Sequence, residues 1–148
     1  MVQQTTRYGI SSRVKLSYER ALQRTREELA KEGFGVLTEI DMAATLKNRL
    51  NVTFRPYMIL GACNPPLAHR ALSAEQDIGL LLPCNVVVYA GDDPDTSVVA
   101  AMDPIAALEL TGNEQVRGIA EEVRSKLERV LDAIGHYGTS KEVSVAAH

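Results

Sequence analysis

Tryptophan is absent from this 148-residue chain, and phenylalanine appears only twice. Any core must therefore be built from aliphatic side chains. Only two cysteines are present, too few for a disulfide scaffold. The three histidines at 69, 136 and 148 lack metal-ligand spacing, so no metal site is expected. No apolar run approaches the roughly 20 residues that span a bilayer. The first residues, Met1 to Arg7, carry no apolar stretch of the secretory kind. No membrane partner is expected, and the expected location is the cytoplasm, where thiols stay reduced. A basic excess is missing as well. The net charge of -3 argues against a general nucleic-acid binder. Phosphate loop, dinucleotide fingerprint, metalloprotease helix, serine elbow and two-residue-spaced cysteine pair are all missing.

What is present reads as a single α+β domain over 1–135 with a flexible tail over 136–148. Alternation of Tyr8, Ile10 and Val14 with polar neighbours predicts a first strand. Ser17 caps the predicted helix that follows, with Tyr18, Leu22, Thr25 and Leu29 as its inner stripe, Ala21 beside them and Gly33 at its end. A second strand is predicted over 34–40. Asp41 then caps a short helix with Met42, Leu46 and Leu50 inward. The third strand is expected over 57–62, and Asn64-Pro65 opens a second short helix. Residues 74–79 read as loop, with 80–82 extending a strand over 84–90. A turn cluster at 91–95 makes that strand a hairpin with 96–102. Asp103-Pro104 starts a helical turn. Val116, Ile119, Ala120, Val123, Leu127, Val130, Leu131 and Ile134 keep helical spacing, with Asn113 as cap and Gly135 as stop.

The predicted order is strand, helix, four strands, helix, with two short inserted helices. It implies a two-layer fold, a five-stranded mainly antiparallel sheet with both long helices on one face. The third strand and the run Val86-Val87-Val88-Tyr89 are apolar on both faces, which one wet face does not explain. Inserted helices or a second subunit must cover the other face, and a homodimer is expected.

Both cysteines fall in a repeated dipeptide, Cys63-Asn64 and Cys84-Asn85. Antiparallel third and fourth strands would bring the pair to one rim. Parallel strands would part them by about 20 Å. The candidate ligand-binding residues are Cys63, Asn64, Cys84 and Asn85, with Glu39 and Asp103 as an acid–base pair if they converge. Each also has a plainer reading: small buried thiols, helix caps and loop-satisfying amides.

The blocks Gly33 to Asp41, Thr45-Leu46-Lys47, Ile59 to Pro65, Leu81 to Val86 and Met102-Asp103-Pro104 resemble the domain of unknown function 302 family, over roughly 8–135. The resemblance implies a TATA-binding-protein-like α+β fold and antiparallel third and fourth strands. It brings no reaction, substrate or cofactor. Three functions follow in order: a small-molecule-binding module near the Cys-Asn motifs, a thiol-based redox enzyme or sensor using Cys63 and Cys84, and a structural or interaction protein without a ligand.

Overall fold

The computed structural model describes residues 2–4 and 6–147, with side chains described for 2–3 and 6–135. Six strands form one antiparallel sheet: β1 (Gln3–Gln4), β2 (Gly9–Val14), β3 (Gly35–Asp41), β4 (Tyr57–Cys63), β5 (Cys84–Ala90) and β6 (Ser97–Met102). Their spatial order is β1-β2-β6-β5-β4-β3. The five long strands are those expected. The two-residue β1 is additional, and it pairs with the outer side of β2.

Helix α1 (Tyr18–Lys31) starts where the Ser17 side chain accepts the Arg20 N–H. Its buried stripe is Ala21, Leu22, Thr25 and Leu29. It ends in a Schellman arrangement, with Phe34 N–H donating to Leu29 C=O and Gly33 N–H donating to Ala30 C=O, both at 3.0 Å. Gly33 there takes φ +85, a value that an L side chain resists. Helix α5 (Glu114–Ala147) buries every one of its eight predicted inward residues. It continues past Gly135, where a stop was expected; one interior glycine weakens a helix by only about 1 kcal/mol. The tail expected over 136–148 falls on residues whose side chains lie outside the described residues.

The core lies between these helices and one sheet face, which presents Ile10, Val14, Leu60, Ala62, Val86, Val88, Val99 and Ala101. The register places Leu60 beside Val86 and Val86 beside Ala101, so buried side chains meet across strands. Helix α3 (Pro65–Ala74) packs on α5 on the same side.

Two expectations fail here. Helix α2 (Met42–Leu50) buries no residue, and Leu50 is 66% exposed. Its apolar spacing was real, but at the sheet edge beside β3 and β4 only Met42, Ala43 and Leu46 reach half-burial. Residues 76–81 form a 3-10 helix with Ile78 buried, rather than a loop and strand extension. Three-residue periodicity over so short a span is easily read as irregular.

Neither inserted helix covers the second sheet face. That face carries three rows across the strands: Arg13, Val98, Tyr89 and Tyr57; then Ser11, Ala100, Val87, Ile59 and Ile40; then Gly9 and Met102, followed by Asn85, Gly61 and Thr38.

Candidate functional site

Strands β4 and β5 are antiparallel, and Ala62 lies directly opposite Cys84. Cys63 is the next residue, so both cysteines sit at one end of the sheet. There they border a cavity of about 300 Å³. Ala62 and Cys84 contribute its sheet side, Leu67 and Ala71 of α3 one wall, and Ile119 and Val123 of α5 another. Leu82 and Pro83, joined by a cis peptide, approach from the segment before β5. A β-bulge between Val36 and Thr38 leaves Leu37 without a partner on β4. Leu37 is 67% exposed and also lines the cavity. Bulges commonly re-aim one side chain in this way.

Asn64 connects two helix ends at this site. Leu67 N–H donates to its Oδ1 at 3.4 Å, which caps α3. Its Nδ2 donates to Glu32 C=O at 3.2 Å, at the end of α1. The side chain is therefore structural at both ends, although it also borders the cavity. Pro65 follows it in the first turn, where a missing N–H leaves no bond unmade.

The two thiols differ. Cys84 is buried and Cys63 is half-buried, and both are free. Burial, and after it the neighbouring Cys63, pushes the Cys84 thiol up to about 11. Cys84 is accordingly neutral at physiological pH and is no nucleophile in that state. Both thiols border the cavity, and Cys63 lies one residue beyond Ala62, the partner of Cys84.

The remaining candidate residues go elsewhere. Asn85 is exposed and lies opposite Gly61 on the uncovered sheet face. Glu39 on edge strand β3 pairs with Arg26 of α1. Asp103 is 4% exposed. Its Oδ1 accepts the Ile105 N–H at 3.0 Å and its Oδ2 meets Arg124 Nη1 at 2.6 Å. Glu39 and Asp103 are separated by the width of β4 and β5, about 14 Å at the usual strand spacing, so they do not converge. Among the described residues, no three His, Cys, Asp or Glu side chains gather as a metal site. Leu67, Ala71, Ile119 and Val123 are the site residues that sequence reasoning missed. Apolar residues at helical spacing carry no mark that separates cavity wall from core.

A family model described as domain of unknown function DUF302 matches residues 10–134. The chain belongs to this family. The DUF302 match runs from β2 into α5 and contains every residue that lines the cavity. No curated protein matches the chain. A solved structure similar to it is that of an uncharacterized conserved DUF302 protein from Bacillus stearothermophilus. The two share 28% sequence identity, with a TM-score of 0.79, over 85% of this chain and 97% of that one. The neighbour supports the DUF302 fold and assigns it no activity.

The Cys84 thiol gives this DUF302 domain a definite alkaline signature. Its ordinary value is 9.0 and its folded value about 11. The unfolded chain ionises first, so the contribution is intact below pH 9 and is lost as pH rises through 11. Over that window stability should fall by about 2–3 kcal/mol from this group. Urea titrations across the window should show that slope, and Cys84→Ala should remove it. A slope unchanged in the variant would contradict the burial argument.

Proposed function

We propose that this DUF302 protein is a small-molecule-binding module and that its ligand occupies the cavity beside Cys63 and Cys84. One observation carries the reading: a cavity of about 300 Å³ with an almost wholly apolar lining, held between sheet, α3 and α5. Ligand sites are typically concave, apolar and of at least this size. Protein interiors otherwise leave few voids larger than a water molecule. The thiol-exchange reading has less support, since burial keeps Cys84 protonated.

The same reading is extended to partners. The uncovered sheet face has one charged position, Arg13, in its three rows. Tyr57 and Tyr89 stack there with centroids 5.2 Å apart and planes within 4°. Ile40 and Phe54 remain 45% and 47% exposed towards the β3 side. Ile59 and Val87 lie beside the two tyrosines, so apolar side chains are contiguous there, as at many interaction surfaces. A face with so little charge suits a two-fold contact with its own copy, so the partner proposed is a second copy of this chain. Two unbridged cysteines favour a reducing, cytoplasmic setting. Strand, helix, four strands and helix, in that order, favour the TATA-binding-protein-like arrangement. No helix of the described residues is long and apolar enough to cross a membrane.

Two measurements check these proposals. N-phenylnaphthylamine, a neutral apolar probe, at about a hundredfold excess over its Kd should raise the melting temperature by about 5–10 °C. Ala68→Phe, which projects into the cavity from α3, should abolish the rise; an unchanged rise would place the probe elsewhere. In sedimentation at micromolar concentration the chain should run at twice its 16.2 kDa mass. Val87→Lys, in the middle row of the open face, should return it to a monomer with an unaltered circular dichroism spectrum. A wild-type monomer at 100-fold higher concentration (about 100 μM, a weak-complex range) would end the dimer proposal.

A further inference from the structure

The lining of the cavity restricts what can enter it. Among the described residues, no Asp, Glu, Lys, Arg or His borders it. Among the described residues, Asn64 is the one side-chain amide in the wall, and both its ends are engaged with backbone groups. The remaining side-chain heteroatoms are two thiols, which are weak hydrogen-bonding groups. A hydroxyl, carboxylate or ammonium pushed to the inner end would lose water and find no strong partner. The mouth differs from the interior only in exposure. Leu37 and Leu72 line the cavity and are 67% and 44% exposed, so apolar surface continues outward to solvent.

We propose that the site takes the hydrocarbon tail of a single-ended amphiphile, tail first, and leaves the polar end in water beyond Leu37 and Leu72. This deepens the binding reading and rests on it. Size sets the tail's length. A cavity of about 150 Å³ lined by Leu, Ile and Phe stays dry and admits benzene; this one is about 300 Å³. It accommodates an alkyl chain or fused ring of roughly twice benzene's bulk. Recognition is by length and by the absence of a second polar end, with no charged group to read the head.

Displacement of N-phenylnaphthylamine by a series of alkanols from hexanol to decanol tests this in the intact chain. Each added methylene should tighten binding about fourfold, until the chain outgrows the cavity and the gain stops. The eight-carbon diol, with a hydroxyl at each end, should bind at least about tenfold more weakly than octanol, since one hydroxyl must be buried without a partner. Ala68→Phe, with circular dichroism confirming its fold, should lose both probe and alkanol binding. A diol as tight as octanol, with probe binding intact, would overturn the tail-first inference and leave the binding module standing. Failure of the wild-type chain to bind the probe at all would overturn the binding reading and this inference with it.

Discussion

The register between β4 and β5 is the constraint on which the rest of the molecule depends. Leu60 against Val86 and Ala62 against Cys84 send one alternating set of side chains towards α1 and α5. A slip of β5 by one residue against β4 would turn β5 over. Val86 and Val88, both at most 1% exposed, would then move from core to open face, and Cys84 would leave the cavity. Gly61 marks how closely this region is packed. A Cβ there would stand 2.1 Å from Thr38 Oγ1 and 2.8 Å from Pro83 Cγ, so the register is held by close contact on the second face as well.

The cavity follows from that register together with the ends of two helices. Asn64 fixes the start of α3 against the end of α1, and α3 leans on α5 at Ile119 and Val123. Helices positioned by their termini leave the space between them set by side-chain size. Ala62, Ala68 and Ala71 are too small to fill it, while Leu67 and Val123 enclose it. The result is a void whose shape is determined by rigid elements, as a preformed site requires. The open sheet face arises from the same alternation. With α1, α3 and α5 on the core side, Tyr57, Ile59, Val87 and Tyr89 stay half-buried among the described residues.

The architecture was legible in the sequence because its signals are local and periodic. Eight apolar positions at helical spacing define α5, Ser17, Asp41 and Asn64 cap their helices, and the turn cluster at 91–95 sets the β5–β6 hairpin. Double-sided apolarity in β4 and β5 puts Leu60, Val86 and Val88 on the core face and Ile59 and Val87 on the other. What local signals could not supply was depth. Met42, Leu46 and Leu50 repeat at helical spacing, yet at the sheet edge Met42 and Leu46 are only half-buried and Leu50 is exposed. The repeated Cys-Asn dipeptide lies at one sheet end, but its two asparagines part company. Asn64 turns into a helix cap and Asn85 faces outward, because one follows a strand and the other lies within one. Glu39 and Asp103 went to separate ion pairs, with Arg26 and Arg124, which sequence separation alone does not foretell. The cavity itself had no sequence signature, because a void is defined by missing volume among residues that all look like core.

Diffraction from a crystal of this protein pressurised with xenon tests the account most directly, since xenon occupies dry apolar cavities irrespective of ligand chemistry. Xenon density is expected between the Ala62–Cys84 pair, Leu67 and Val123. Ordered water filling that space, or solid packing with xenon bound only elsewhere, would contradict it.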